Sequence, residues 1–267
     1  MGDFLKCPRC YYLHNVYKDP KTRRKINIVS PALSLGVAVH EVVEGLAKYK
    51  TEERFIKPEA LVEHFEEAWK KVSGKRGGFI SHEEEAQAKA RGHAMISRVT
   101  EHPGPLLKKT VKIKEGADGM LPNFFISPDE NIILCGKIDW LIHNAEDDSL
   151  TILDFKTGKN EEKGESLQLP IYQLLLHKLQ KRKVTGAQYW YLDKDDEPIS
   201  VGLPNLEESF ERVIAAARSV KEARESGVFK CPKGEEGCFA CRPFEKIIRG
   251  EAEFVGVGEY KQDLYIA

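Results

Sequence analysis

Two aspartates and a lysine stand within two apolar stretches near the middle of the chain. Asp139 ends a Gly-x-x-Asp sequence, and Asp154 and Lys156 flank Phe155 in a run rich in isoleucine and leucine. A charged side chain in an apolar strand costs free energy unless it pairs with an opposite charge or binds a ligand. Carboxylates are ligands that Mg²⁺ and Mn²⁺ prefer, and a nearby lysine can position or deprotonate water for attack on phosphorus. The trio predicts metal-dependent phosphodiester hydrolysis, and a salt-bridged hairpin is the structural alternative.

The elements around these residues are predicted to be two strands. The polar stretch from Asn144 to Ser149 indicates a hairpin loop, so the two apolar runs would pair as antiparallel neighbours. That pairing would bring Asp139 close to Asp154. Because side chains alternate along a strand, Asp154 and Lys156 share a face, and Phe155 points into the opposite layer. Two carboxylates and an ammonium are therefore expected to converge.

Four short motifs occur in order and resemble those of the PD-(D/E)XK nucleases, in particular the RecB-like exonucleases that include the CRISPR-associated nucleases of spacer acquisition. Gly36 to His40 resembles the Gly-x-x-x-His helix, and Gly136 to Asp139 resembles the Gly-x-x-Asp strand. Asp154 to Lys156 resembles the (D/E)-x-K strand, and Gln168 to Tyr172 resembles the Gln-x-x-x-Tyr helix of the RecB-like branch. The match runs from about Cys7 to Cys241, although the stretch between the first two motifs is matched only by position.

The resemblance implies an α/β, restriction-endonuclease-like fold with a central mixed sheet flanked by helices. It implies that the ligands of Mg²⁺ or Mn²⁺ are the side chains of His40, Asp139 and Asp154 and the backbone carbonyl of Phe155. It also implies three catalytic residues: Asp139, Asp154 and Lys156. On the sequence alone, a histidine among valines is more often a packed core residue. Glu44, one helical turn after His40, could orient the imidazole or pair with a lysine, and no ligand role is assigned to it.

Three further residues are predicted to contact DNA. Gln168 and Tyr172 lie four residues apart on a predicted helix and share a face, where an amide and a phenol could contact an entering strand. Ordinary helix packing is the alternative, because the segment is heavily apolar and a buried tyrosine needs only one hydrogen-bond partner. Lys159 is a predicted phosphate contact.

Five cysteines near the two ends of the sequence predict a metal centre: Cys7, Cys10, Cys231, Cys238 and Cys241. The sequence shows no signal-peptide pattern, which favours metal binding in a reducing cytosol over disulfides. RecB-like exonucleases with this arrangement carry a [4Fe-4S] cluster held by one N-terminal and three C-terminal cysteines. The resemblance therefore implies a metal module that joins the ends of the chain.

The cysteine spacing departs from the family pattern, because Ile247 stands where the last cysteine is expected. Either Cys231 or Cys10 must then provide the fourth ligand. Four thiolates suit tetrahedral zinc as well as an iron-sulfur cluster, and the resemblance favours the cluster. Cys135, in an apolar run, is expected to be a buried small hydrophobic residue.

Length and charge agree with this interpretation. The chain has 267 residues and a formal net charge of −1, so it has no overall basic field, and DNA affinity must come from local basic patches. The candidate patches are 18–25, 108–114 and 178–183, and the alternative for each is a solvated face. No apolar run reaches membrane-spanning length, and we expect a cytoplasmic protein. The predicted activity is exonucleolytic cleavage of single-stranded or frayed DNA ends in repair, recombination or CRISPR adaptation, with proteins of those pathways as possible partners. The alternatives are a DNA-end-binding subunit with little activity and an RNA-directed nuclease.

The predicted organisation is a single nuclease domain over residues 1–267. Residues 1–30 and 227–249 form the cysteine module, 31–110 a helical region with the histidine motif, 111–226 the catalytic sheet core, and 250–267 a tail that packs on the body or on a partner. Helix starts are predicted at Ser30-Pro31, Ser81 and Asn205 from their capping patterns, and an amphipathic helix at 58–72. Gly74 to Gly78 is predicted to be a flexible basic loop.

Overall fold

The computed structural model describes residues 1–55, 57, 59–114, 116, 119–162 and 166–267. Within these ranges the α-helices are α1 (Gly2–Lys6), α2 (Pro8–Tyr11), α3 (Pro31–Gly45), α4 (Glu59–Lys71), α5 (His82–Glu101), α6 (Gln168–Leu179), α7 (Leu206–Ser226) and α8 (Arg242–Ile248). In the same ranges the strands are β1 (Ile26–Ile28), β2 (Asn123–Ser127), β3 (Ile132–Cys135), β4 (Trp140–Asn144), β5 (Ser149–Lys156), β6 (Val184–Tyr191), β7 (Ile199–Val201), β8 (Glu253–Val257) and β9 (Asp263–Ile266). The chain divides into two compact units, the first made of residues 1–34, 71–87 and 215–267, the second of residues 35–70 and 88–214.

The second unit contains a four-stranded mixed sheet with the order β4-β5-β6-β7. Trp140 lies opposite Leu153 and Asn144 opposite Ser149, so β4 and β5 form the predicted antiparallel hairpin. β5 runs parallel to β6, and β6 runs antiparallel to β7. The predicted α/β class, with a mixed sheet and flanking helices, is confirmed.

β5 is the most enclosed strand of this sheet, since neighbours lie on both of its edges and apolar side chains cover both of its faces. Leu150 and Ile152 share a buried cluster with Tyr172 and Leu176 of α6. Each such apolar side chain contributes about 1.5–3 kcal/mol on burial. A strand covered on both faces is nearly continuous in apolar residues, so a charged residue near its end is unusual.

The capping patterns mark the helix starts correctly. α3 begins directly after Ser30, α5 after Ser81 and α7 after Asn205, and each of these side chains accepts a backbone N–H bond from the first turn that follows. The predicted start of the amphipathic helix at Pro58 lies outside the described residues, which show this helix from Glu59 onward. In the part of the chain that the structure describes, no helix has the length and apolar character needed to cross a membrane.

Two local predictions are wrong. Residues Gly74–Gly77 form a 3₁₀ turn rather than a flexible loop, and Gly78 (φ +86°) packs so closely that a Cβ would lie 2.6 Å from Ser30 Cα. Cys135 is exposed rather than buried. Its strand, β3, pairs with β2 and buries one face only, so Leu134 points inward and Cys135 outward.

The first unit joins segments from both ends of the sequence in a three-stranded sheet with the order β1-β9-β8. β9 runs parallel to β1, with Ile26 opposite Asp263, and antiparallel to β8. Arg24 donates to Asp263 at 3.0 Å, and this carboxylate is fully buried. Residues 253–257 and 263–266, part of the segment predicted to pack on the body or on a partner, form two strands of this sheet.

Candidate active site

β5 sets the positions of the aspartate and the lysine of the Asp-x-Lys motif. The Asp154 side chain is 1 % exposed, and its Oδ2 atom lies 2.7 Å from Lys156 Nζ, so the two share a face as predicted. Between them, Phe155 points into the opposite layer, where its ring packs against those of Trp140 and Trp190. The alternation of a strand is thus sufficient to bring the carboxylate and the ammonium together.

Asp139 lies in the link immediately before β4, not inside a strand as its motif predicted. Its Oδ2 accepts the backbone N–H of Phe155 at 3.1 Å, so the carboxylate continues the β4–β5 pairing by one step. The N–H and C=O of one strand residue point to the same edge. The carbonyl of Phe155 therefore faces the side on which Asp139 lies.

α3 provides a histidine and a glutamate to the same place. His40 Nδ1 lies 2.9 Å from Glu44 Oε1 and 3.7 Å from Asp139 Oδ2. Glu44 also pairs with Lys137 through its other oxygen. Both roles suggested for Glu44 are therefore present. Ligand-capable atoms of His40, Glu44 and Asp139 lie within 4.8 Å of one another, so the structure adds a carboxylate to which sequence reasoning gave no ligand role.

The electrostatics of this group suit a cation. Burial, reinforced by the negative charge of Asp154, raises the pKa of Asp139 to about 7. Burial also raises the pKa of Asp154, although Lys156 opposes the shift. Burial alone would lower the pKa of His40, but Glu44 and Asp139 outweigh it and raise that pKa. Carboxylates that are driven towards protonation by burial and mutual repulsion fit a divalent ion, which would hold them ionised.

Gln168 and Tyr172 extend this group from the first turns of α6. Lys156 Nζ donates to Gln168 Oε1 at 2.6 Å, and Gln168 Nε2 donates to Asp154 Oδ1 at 2.6 Å. Gln168 Nε2 also donates to the Tyr172 hydroxyl at 2.9 Å, and that hydroxyl lies 3.4 Å from Asp154 Oδ1. Tyr172 is buried in the core. The amide thus ties the lysine to the aspartate, and a contact of Gln168 or Tyr172 with DNA stays a prediction.

One charged neighbour of the site was not anticipated from the sequence. Glu162 Oε2 lies 3.2 Å from Lys156 Nζ. Nothing in the sequence marked it, because a glutamate in a polar connecting segment carries no periodic or motif signal. Lys159, in the same segment, is exposed, and the structure shows no contact between it and the trio among the described residues.

A cavity of about 450 Å³ opens beside Asp139 and Glu44 within the second unit. Lys48, Lys112 and Lys137 are among its lining residues, so part of the predicted basic patch at 108–114 lies here. The lining also includes three carboxylates, those of Glu41, Glu44 and Asp139. Most of the other lining residues are apolar, and they include the exposed side chains of Met120 and Leu121. The cavity combines cations with an apolar surface next to the carboxylates.

The cysteines form a separate centre in the first unit. Four sulfur atoms lie within 4.8 Å of one another, those of Cys7, Cys231, Cys238 and Cys241. All are free thiols in one buried cluster. Cys10 is also buried but lies outside this group of four. Burial tends to raise the pKa of Cys238, but the backbone N–H groups of Cys241 and Ala240 outweigh it and bring that pKa to about 7.

One sulfur separation can be compared with those of the two metal centres that four thiolates suit. Cys238 Sγ lies 3.8 Å from Cys241 Sγ. Four Zn–S bonds of about 2.3 Å in a tetrahedron place the sulfurs about 3.8 Å apart. A [4Fe-4S] cluster inserts four irons between its thiolates, so its sulfurs must lie farther apart. This one separation matches that of a tetrahedral zinc site, and the four clustered thiols could hold a metal ion or a cluster.

Comparison with known proteins places the chain in a family. A search of curated proteins returned no match. The family model of the PD-(D/E)XK nuclease superfamily matches residues 2–243. The matched stretch contains the carboxylates, the lysine and the histidine described above, together with the four clustered cysteines. The chain therefore belongs to the PD-(D/E)XK nuclease superfamily.

Proposed function

We propose that the chain is a metal-dependent deoxyribonuclease of the RecB-like branch that degrades single-stranded or frayed DNA ends. Members of its superfamily are typically metal-dependent nucleases. One observation carries the proposal: Asp139 lies within ligand distance of His40 and Glu44, and the charge of Asp154, which pairs with Lys156, helps burial to raise the pKa of Asp139. A cation and an anionic phosphate would together complete that group.

The proposed ligands of Mg²⁺ or Mn²⁺ are two carboxylates, an imidazole and a backbone carbonyl: Asp139, Asp154, His40 and Phe155. When bound, the ion supplies Lewis-acid polarisation of the phosphate and hydroxide at neutral pH. Glu44 orients the imidazole through its 2.9 Å hydrogen bond. Burial excludes competing water from this group and strengthens each charge interaction within it.

Lys156 has the second role in this proposal. Its ammonium can align the attacking water and stabilise the negative charge that develops on the phosphate oxygens. Asp154 and Glu162 lie beside it and favour the protonated amine, so Lys156 acts as a donor rather than as the base. Gln168 holds Lys156 and Asp154 in fixed relative positions through its two amide atoms. These contacts fix the position of the ammonium before the substrate binds. A charge that is already in position lowers the activation barrier most effectively.

The cavity beside Asp139 supports a single-stranded substrate. Proteins that bind single strands combine cations for the phosphates with apolar or aromatic surfaces for the bases. Lys48, Lys112 and Lys137 would contact phosphates, and Met120 and Leu121 would contact bases. A DNA-end-binding subunit without activity is the weaker alternative, because a pure binder gains nothing from buried carboxylates facing phosphate. Roles in repair, recombination or CRISPR adaptation, with partners from those pathways, belong to the same proposal.

We further propose that Cys7, Cys231, Cys238 and Cys241 hold one Zn²⁺ in place of the [4Fe-4S] cluster that the resemblance implies. The sulfur separation and the missing cysteine at Ile247 both support zinc. Backbone N–H groups donate to the sulfurs of Cys7, Cys231 and Cys241. A metal ion would provide the positive charge that buried thiolates require. The ion would join α2, near one end of the sequence, to the segment before α8.

End-labelled oligonucleotides test the nuclease proposal. Single-stranded DNA, blunt duplex, duplex with frayed ends, and RNA of the same sequence are incubated with Mg²⁺, with Mn²⁺ and with EDTA. We expect metal-dependent shortening of single-stranded and frayed DNA and no cutting in EDTA. Preferential degradation of RNA would favour the RNA-directed alternative. Tight binding of DNA without cleavage under every metal condition would favour the end-binding alternative and contradict the proposal.

A further inference from the structure

Three acceptors surround the ammonium of Lys156. Its Nζ atom donates to Gln168 Oε1 at 2.6 Å, and it forms ion pairs with Asp154 Oδ2 at 2.7 Å and with Glu162 Oε2 at 3.2 Å. The centre of the Tyr189 ring lies 4.9 Å from the same atom. A lysine ammonium donates three N–H bonds and accepts none. A phosphate oxygen that approaches Lys156 therefore competes with the acceptors already beside it.

Of these acceptors, Glu162 is the one that can be exchanged. Asp154 is 1 % exposed on β5, and Gln168 is fixed at the first turn of α6. The Glu162 side chain is 30 % exposed, and it makes the longest of the three contacts. Water can solvate its carboxylate when it moves away from the lysine, whereas Asp154 has no such compensation. The cost of separating Lys156 from an acceptor is therefore lowest at Glu162.

The backbone holds this carboxylate at the lysine. The N–H of Glu162 donates to the hydroxyl of Tyr191, a buried residue of β6, at 2.9 Å. The preceding residue, Glu161, pairs with Lys194 at 2.9 Å, and Lys194 in turn lies over the Tyr191 ring. The backbone of Glu162 is thus held in place, whereas its side chain is partly exposed to solvent. Glu162 also lines a cavity of about 280 Å³ with Ser166 and with Tyr189, whose ring lies beside Lys156.

We propose that Glu162 occupies the position at Lys156 that a substrate phosphate oxygen must take, and that it competes with nucleic acid for this lysine. The Glu162 carboxylate and a phosphodiester oxygen are both anionic hydrogen-bond acceptors. Only one of them can occupy this position beside the ammonium of Lys156. Strand binding displaces the Glu162 side chain into the solvent, and strand release returns it. Glu162 therefore weakens binding of every strand, and a strand that makes too few other contacts does not displace it. The inference rests on the proposed function, since it names a competitor at the same site.

Binding is measured first, because it does not depend on cleavage. Fluorescence anisotropy with a labelled single-stranded oligonucleotide, in Ca²⁺ and with no Mg²⁺ or Mn²⁺, gives Kd for the wild type and for Glu162→Gln, which keeps the backbone bond to Tyr191. We expect Kd to fall on the order of fivefold, as for loss of a partly exposed competing charge. Glu161→Gln, which removes the same charge one residue away, is the matched control and should leave Kd unchanged. An equal fall in both variants would indicate general repulsion and overturn the proposal.

The lysine provides the second test. In a Lys156→Ala background, Glu162→Gln should no longer tighten binding, because the competition requires the ammonium. A gain that persists without Lys156 would refute the mechanism. Steady-state cleavage by Glu162→Gln should show a lower KM. A fall in kcat at constant KM would instead show that Glu162 positions the lysine for chemistry. If the wild type binds DNA but never cuts it, the nuclease proposal fails, while the two binding tests still decide the role of Glu162.

Discussion

Replacing Gln168 by leucine tests whether this residue positions the catalytic groups or contacts the substrate. Its amide has three partners inside the site, which are Lys156, Asp154 and the Tyr172 hydroxyl. Leucine keeps the size of the side chain and removes both of its polar atoms. Lys156 then loses its bond to Oε1, and Asp154 Oδ1 keeps only the Tyr172 hydroxyl, 3.4 Å away. The direct ion pair between Asp154 and Lys156 is retained. The substitution therefore loosens the pair without abolishing it.

The magnitude follows from the burial of Asp154. A hydrogen bond to a charged group contributes about 1.5–3 kcal/mol, and water cannot replace it at an oxygen that is sealed from solvent. If that amount is lost mainly from the transition state, kcat falls about tenfold to a hundredfold. The unsatisfied carboxylate oxygen also destabilises the folded chain by about 1–3 kcal/mol. The melting temperature should fall by several degrees.

Single-turnover and steady-state cleavage of an end-labelled single strand provide the assay. We expect kcat to fall with KM within about twofold of the wild type, since the interaction serves the chemical step. Gln173→Leu is the control: it removes an amide from the same helix whose partner is Ser209, at 3.3 Å, and should leave kcat unchanged. A rise in KM at constant kcat would show that Gln168 contacts DNA, as the sequence suggested, and would refute the positioning argument.

Three other predictions follow from the two centres. Asp154→Asn and Lys156→Ala should each abolish cleavage while circular dichroism shows an unchanged fold, and wild-type rates in either variant would mean that the active site lies elsewhere. His40→Ala should raise the Mn²⁺ concentration for half-maximal activity, since one ligand of several is lost, whereas an unchanged titration would make His40 a packing residue. Purified protein should be colourless with about one zinc per chain, which EDTA removes with a fall in melting temperature, whereas brown protein with about four irons would establish the cluster. Alanine at Cys7, Cys231, Cys238 or Cys241 should release this metal. Cys10→Ala should retain it.

The parts of the fold that sequence predicts well are those fixed by short-range rules. Strand alternation put Asp154 and Lys156 on one face, and a polar stretch between two apolar runs was enough to predict the β4–β5 hairpin. Capping residues such as Asn205 marked helix starts, because a side-chain acceptor is needed wherever the first N–H groups of a helix have no partner.

Other features depend on contacts between distant parts of the chain. The sequence shows that β3 alternates, but not that only one of its faces is covered, so the exposure of Cys135 could not be predicted. The contact between Glu162 and Lys156 requires the path of the connection between β5 and α6. Whether Cys10 or Cys231 provides the fourth sulfur likewise depends on the path of the backbone. The spacing of the cysteines in the sequence allows either residue.

The parallel pairing of β1 with β9 has a consequence for synthesis on the ribosome. Ile26 meets its partner only after Asp263 has been translated, whereas the strands of the second unit all lie between Asn123 and Val201. Because domains tend to form as their residues emerge, the β4–β7 sheet can assemble while translation continues. β1 must wait without its neighbour until β9 leaves the exit tunnel, and the separation of the two strands makes this closure slow. A stop codon or a frameshift before residue 263 would therefore leave β1 as an unpaired edge, open to aggregation, in a chain whose second unit is already folded.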